Sequence, residues 1–481
     1  VWIGAAPYLL FFPDADGDDV PDSDPTVLLD GWGFQDTHET LNAFIWGPDG
    51  WLYGCHGVFT HSKVGKPGTP DEQRIPLNAA VWRFHPTRHE FEVFAWGTSN
   101  PWGVDFNDRG QQFITACVIP HLYHMIQGGR YQRQGGHHFN PYVYDGIKTI
   151  ADHFHYLGPN PHCGNNKSDA AGGGHAHCGG MIYLGDAWPE KYRNTLLMNN
   201  VHGNRVNNDS LERKGSGYVG KHEDDFLRAN DKHFRGINLK YGPDGNAYLI
   251  DWYDPRACHG GDHSSWQYGN GRVFKVSYGR ERHRNVDLSR SRDIELVKLH
   301  LHANEWYVRM ARRILQERGP KPAVHEALAQ MLHGEQDVTN KLRALWTLHA
   351  TGGADDALLE RLLRHDDEYL RSWAIQLLLE DKRVTSEQLT KLETLAAKDP
   401  SPVVRLYLAS AMQRLPVEQR WGIADALVSH AEDAADHNLP LMVWYGVEPL
   451  VVHDTAKALE LSRTSKLEQV SRFIVRRAAA D

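Results

Sequence analysis

The chain has 481 residues, 41% of them hydrophobic, and a formal net charge of −9 at pH 7. That length exceeds one ordinary core and predicts two or three domains. The acidic balance, with no basic stripe among aromatics, argues against nucleic acid as a partner, and the lack of any run of 18 apolar residues argues against a transmembrane segment.

The first residues, VWIGAA, read as a strand without an initiator Met, so the expectation is a chain that enters partway through its fold, with targeting unreadable. The stretch DADGDDVPDSD at 14–24 follows. It sets Asp14, Asp16, Asp18 and Asp22 at positions 1, 3, 5 and 9 of a calcium-type loop, where alternate carboxylates converge on one hard cation. Asp19 stands at the sixth position, where such a loop takes Gly, and Pro25 at the twelfth, where it takes Glu. A structural calcium clamp and a solvated acidic turn both remain open here.

From DTHETLNAFIWGPDGWLYGCHG (36–57) onward, short alternating runs such as VWRFHP, FEVFAWG, QQFITACV, GMIYLG and NAYLIDWY are separated by Gly, Pro, Asn and Asp. That grammar predicts an all-β region. One unit recurs: GPDGWLYG at 47–54, NDRGQQFIT at 107–115 and GPDGNAYLID at 242–251, each a turn feeding a strand. Self-similar strand–turn–strand units tens of residues apart predict propeller blades. All five cysteines and 19 of the 29 histidines lie before residue 281. The cysteines form neither CxxC nor CxxCH, while Cys163 and Cys178 share a His-Cys-Gly context and are the candidate pair in an oxidising compartment.

Several loops of this region carry candidate chemistry. Histidines crowd HLYH (121–124), GGHHFNP (135–141), ADHFHYLGPNPHCGNN (151–166) and GGGHAHCGGM (172–181). Glycines allow close backbone approach, and imidazoles serve as bases, donors or metal ligands. The H-x-H pairs 153/155 and 175/177 are compatible with a transition metal, although no HExxH or Cys₄ set specifies one. Asn100, ahead of Pro101 in WGTSNPWGVDF, is expected to face the same side. Arg235 precedes the last GPDG strand and Asp251 ends it; an Arg there suits a carboxylate-bearing ligand.

After a polar link at 282–291 the period becomes helical. LVKLHLHANEWYVRMARRILQERG, NKLRALWTLHATGG, EYLRSWAIQLLLED and SPVVRLYLASAMQRL place apolar residues at i, i+3, i+4 and i+7. Arg309, Arg343, Arg371 and Arg405 recur at similar places, and the reading is a HEAT-like solenoid whose arginines pair with turn carboxylates. The predicted division is a β-propeller over 1–281, of six-bladed type and N-terminally incomplete, and a HEAT-like α-helical repeat domain over 282–481.

The combination DTHETLNAFIWGPDGWLYGCHG, GTSNPWGVDF, IPHLYHMIQGGRY, GGGHAHCGG and YGPDGNAYLIDWYDP resembles the membrane-bound dehydrogenase proteins of planctomycetes and verrucomicrobia. Their propeller is in turn similar to soluble glucose/sorbosone dehydrogenases, which use pyrroloquinoline quinone. The resemblance implies a periplasmic or otherwise extracytoplasmic, membrane-associated enzyme that oxidises a sugar or alcohol and passes electrons to a c-type cytochrome, with a protein partner on the helical repeats. It further implies a histidine base eight residues before the Gly of GPDG. Counted from Gly47 that place is Glu39, with His38 one further, so a one-residue bulge lets His38 serve, or Glu39 replaces it, or the base is absent. Asn100 carries over from the family's Arg-Asn-Pro turn, but Ser99 stands where the Arg does. Arg235 stands for the family's basic residue before the last GPDG strand. Asp251, His175 and His177 are further cofactor contacts expected from the residues themselves, as is calcium at the acidic loop. The alternatives are a non-catalytic propeller–solenoid binding glycans or proteins, and a metal-dependent or haem-contacting module built on the histidine loops.

Overall fold

The computed structural model describes residues 1–118, 120–158, 168–257, 263–279 and 284–480. Among them a sheet-rich N-terminal region of 21 strands precedes a helical region of 12 α-helices, the first of which begins at Asp293. Cys163 and Cys258 lie outside the described residues.

Where a six-bladed type was expected, five sheets of three or more strands and one two-stranded hairpin are present among the described residues. Three sheets are plain antiparallel meanders in chain order, the pattern of a propeller blade. The strand Arg130–Arg133 breaks the pattern by joining the edge of its sheet in parallel with Phe91–Thr98. Four inner strands stand side by side: Asn42–Trp46, Asn100–Phe106, His177–Ile182 and Gly236–Tyr241. Each carries a one-residue bulge against its hairpin partner. A bulge bends a strand and increases its local twist, so the bulges separate a regular half near the turn from a re-aimed half at the other end.

Three of the inner strands leave through the turns read from sequence. In each, the glycine has φ between +71° and +83° at Gly50, Gly110 and Gly245, where a side chain would be strained. The aspartate of GPDG caps its own turn. Asp49 Oδ1 accepts from the Trp51 amide and Oδ2 from the Tyr53 hydroxyl at 2.7 Å, and Asp244 does the same with Asn246 and Tyr248. The tyrosine four residues after each aspartate is therefore part of the motif. The fourth turn, after His177–Ile182, lacks the signature; there the Tyr183 hydroxyl donates to Gly245 O and accepts from the Ala187 and Trp188 amides.

In the helical region alternate helices pack on one another, so that the array has two layers. The layer containing Glu305–Arg318, Glu368–Leu378, Pro402–Met412 and Leu439–His453 covers the turn end of the sheets. Gln316 donates to Gly50 O, Asn304 to Gly242 O and the Trp373 indole to Arg109 O. Arg371 clamps Asp399 and Arg405 clamps Asp433 with two hydrogen bonds each, the expected turn carboxylates. Arg309 instead crosses to the sheets, binding Asp105 at 2.8 Å and Phe106 O. The apolar stretch around 438–452 forms a buried helix, and among the described residues no helix is long and apolar enough to cross a membrane.

Candidate functional site

At the end opposite the turns, the four inner strands begin with the residues that drew attention in the sequence. Glu39 lies three residues before the first, Asn100 opens the second, His177 the third, and Arg235 precedes the fourth. A chain of contacts joins them. Glu39 Oε2 accepts from the Phe59 amide, and Asn100 Oδ1 from the Val58 amide next to it. Asn100 pairs with Cys117, and Cys117 bridges to Ala176. The Val201 amide donates to Ala176 O, and Arg235 donates to Val201 O. Trp102, Cys117, Ala176, Cys178, Val201 and Ala257 form a small apolar cluster in the middle of this rim.

On the first strand the bulge falls between Asn42 and Ile45, with Ala43 at φ +57°. Ahead of this strand His38 is at the surface and Glu39 is fully buried. His38 Nδ1 lies 2.8 Å from Asp36 Oδ1, and the Asp36 carboxylate also accepts the His38 amide. Asp36 itself is pinned through its backbone by the Thr60 hydroxyl. Glu39 Oε1 has no hydrogen-bond donor. Burial, and then the nearby Asp36 charge, push the Glu39 carboxyl up to about 7 against the two backbone amides that favour its anion. Once protonated, Glu39 can itself donate to Asp36, where burial raises the carboxyl but the contacts with His38 outweigh it and hold it below the ordinary value.

The cofactor contacts expected on the other strands have different roles. The Arg235 guanidinium, expected to face a ligand carboxylate, donates to Val201 O, Phe234 O and Pro255 O and holds three backbone segments together. Asp251 accepts the Arg235 and Tyr253 amides, which makes it a strand-end cap. Ser99 turns its hydroxyl to Cys117 O. His175 stacks on His202 at 4.5 Å between centroids, while His177, two residues on, points into a separate histidine cluster. Cys178, expected beside Cys163, has its Sγ 3.3 Å from that of Cys117.

The histidine cluster gathers His121, His153, His155, His177 and His222 around Asp209, which is wholly buried. It is assembled from the loops before Leu122–Met125 and after residue 150, and from Arg205–Lys214 and Gly217–His222. Gly172, Gly173 and Gly174, all at positive φ, let the backbone press close to it; a Cβ on Gly172 would stand 2.4 Å from the His155 ring. Burial alone would raise the Asp209 carboxyl, but its histidine neighbours His121, His153 and His222 outweigh it and hold it well below the usual range. Burial keeps His121, His155 and His177 neutral. The H-x-H spacing pointed to His153 and His155; nothing local marked His121, Asp209 or His222 as their neighbours.

Among the described residues two groups place donor atoms close enough for one ion: His121, His153, His155 and Asp209, and the exposed Asp14, Asp16 and Asp18. In the acidic loop Asp19 adopts φ +66°, the left-handed conformation of its glycine-like position. Asp22, expected as a fourth ligand, uses Oδ2 to accept the Ala15 amide at 2.6 Å.

A family model described as "Domain of unknown function (DUF7133)" matches residues 1–279. No curated protein matches the chain. Among solved structures the chain is similar to an oxidoreductase (glucose dehydrogenase) from Thermus thermophilus, at 14% identity and TM-score 0.32, covering 57% of this chain and 92% of that one. Two further structures described as glucose dehydrogenase match at 16% and 17% identity with TM-scores of 0.35 and 0.32, covering 58% and 56% of this chain and 76% and 78% of theirs.

Proposed function

The chain belongs to the DUF7133 family, and on that premise we propose that its sheet-rich region is a dehydrogenase-type propeller acting on a sugar or alcohol at the rim where the inner strands begin. The observation that carries this reading is the His38–Asp36 pair, 2.8 Å apart and half-exposed, one residue before the place the resemblance reserves for a base. Of His38 and Glu39, His38 serves as the base because it is exposed and Glu39 is buried. With Nδ1–H donated to Asp36, Nε2 of His38 is the basic nitrogen, and it accepts the proton of the substrate hydroxyl as the C–H bond breaks and its hydride passes to a two-electron acceptor, leaving the carbonyl product. Glu39 supports Asp36 by donating to it when protonated.

The quinone of the resembling enzymes does not fit the residues carried over to it. Arg235 is committed to three carbonyls and Ser99 replaces the other arginine, so no step is routed through that group. The hydride is assigned to a two-electron organic acceptor outside these residues, which passes its electrons one at a time to a c-type cytochrome in the extracytoplasmic setting the resemblance implies. The same commitment of Arg235 favours the second reading, a non-catalytic rim that binds glycans.

The test is dye reduction by the purified chain across a panel of sugars and alcohols, with and without added quinone and Ca²⁺. On this reading His38→Ala lowers turnover by about 10²–10⁴-fold, the size of general-base help, with the circular-dichroism spectrum unchanged. Ligand binding without dye reduction in any arm would replace the dehydrogenase by the non-catalytic reading.

A further inference from the structure

We propose that His153, His155 and Asp209, flanked by His121 and His222, bind a transition-metal ion of the zinc class, at a centre independent of the dehydrogenase reading.

The argument begins with where the protons are. His153 Nδ1 lies 3.0 Å from Asp152 Oδ1, so its proton sits there and Nε2 presents a lone pair. His155 Nδ1 lies 2.7 Å from His177 Nε2, which also faces the Asn200 amide at 3.3 Å. With His177 Nε2 the acceptor of both, the His155 proton is on Nδ1 and its Nε2 likewise presents a lone pair. These two nitrogens stand 3.2 Å apart. His222 Nδ1 is 3.1 Å from His155 Nε2.

Asp209 Oδ1 completes the set. It is buried with no donor in good hydrogen-bonding geometry, and it lies 3.4, 3.7 and 3.6 Å from His153 Nε2, His155 Nε2 and His222 Nδ1. Electron pairs converging in this way repel unless a proton or a metal cation lies between them, and the convergence of four donors suits the metal. Four ligands at the usual zinc–nitrogen bond of about 2.0–2.1 Å in a tetrahedron are separated by about 3.4 Å. The five separations above run from 3.1 to 3.7 Å, so an ion fits with small adjustments.

The surroundings match those of a metal site. Both His153 and His155 hold their outer nitrogens on a carboxylate or a second imidazole, the arrangement that fixes tautomer and orientation in metal-ligating histidines. Asp209 Oδ2 is held by His121 Nε2 at 3.0 Å, which makes His121 a support for the carboxylate or a fifth donor. Three imidazoles and a carboxylate suit zinc, copper, iron or nickel, and not calcium or magnesium. His155 and Asp209 are fully buried, whereas the His222 side chain is 31% exposed. Entry and any exchangeable position are therefore on the His222 side.

The experiment uses the full chain, stripped with chelator and titrated with Co²⁺ and Zn²⁺. Expected are one equivalent of bound metal by elemental analysis and Co²⁺ visible bands of four-coordinate intensity. His155→Ala is expected to weaken Zn²⁺ binding more than 100-fold. His222→Ala, at an exposed position where folding is not at stake, should weaken it at least tenfold and alter the Co²⁺ spectrum. His175→Gln, on the stacked pair outside the cluster, should leave both unchanged. Absence of stoichiometric metal in the stripped and reloaded wild type would overturn the proposal and leave the cluster as a proton-sharing histidine–aspartate network. Equal loss in the His175 and His222 variants would overturn it too. Neither result bears on dye reduction, so the two proposals fail separately.

Discussion

The two ends of the inner strands have the same backbone and opposite chemistry. At the turn end, aspartates cap tight glycine turns and the helical layer covers them. Asp49 is the clearest case, shared by Tyr53 and the buried Arg83, which also pairs with Glu92 and stacks on Trp51 at 4.0 Å. At the rim end, past the bulges, lie a half-exposed His–Asp pair, a buried carboxyl short of a donor and five histidines around one carboxylate. The comparison teaches that the repeated GPDG signature, the feature that marks the blades, belongs to the end that docks on the helices. The residues of both proposals lie at the other end of the same strands.

If that division is right, damage at the turn end removes stability and damage at the rim removes function. The largest expected effect is Asp49→Ala, which leaves Arg83 buried without one of its two carboxylates and should cost about 3–5 kcal/mol, read as a lower urea midpoint. Next is Gly110→Ala. It places a Cβ at positive φ and 2.5 Å from the Trp373 ring; the left-handed backbone alone costs about 1–2 kcal/mol, and the clash with two indoles raises the total to about 2–3 kcal/mol. A loss under 0.5 kcal/mol would mean the helices do not hold that turn.

The third prediction concerns the rim and pH. The Glu39 carboxyl is raised to about 7 in the folded chain, so the protonated form is favoured by folding. Its contribution is complete below the ordinary carboxyl value near 4.5 and is lost as pH rises through 7. Glu39→Gln mimics the protonated form facing Asp36 and His38. Relative to the wild type it should gain on the order of 2 kcal/mol of stability between pH 4.5 and pH 8, measured by urea titration at each pH. A flat difference across that range would show that Glu39 is ionised throughout. The smallest effect on folding is expected for His38→Ala: within about 0.5 kcal/mol, as at exposed sites generally. A large destabilisation there would erase the distinction between the two ends.

Much of this was legible in the chain. GPDGWLYG and GPDGNAYLID predicted their hairpins because a left-handed glycine and an Asp that caps its own turn are local requirements. The change of period after residue 291 marked the helices, and the spacing of Arg371 and Arg405 anticipated their clamps on Asp399 and Asp433, since helical repeats place such partners at fixed offsets. The carbonyls that Arg235 holds could not be read from the sequence, since they come from three separate segments. Nor could the approach of Cys117 to Cys178, since the two lie 61 residues apart and the bridge from Cys117 to Ala176 brings them together.

What the sequence determined by itself is what depends on near neighbours in the chain: which residues turn, which alternate, and which histidines sit two apart. The tertiary structure decided what depends on distance. It left His38 exposed while burying its neighbour Glu39, and it carried His121, Asp209 and His222 from separate strands and loops to His153 and His155. The physical reason is that strand pairing and sheet packing bring together side chains tens of residues apart. No local pattern records which buried carboxylate a histidine will meet.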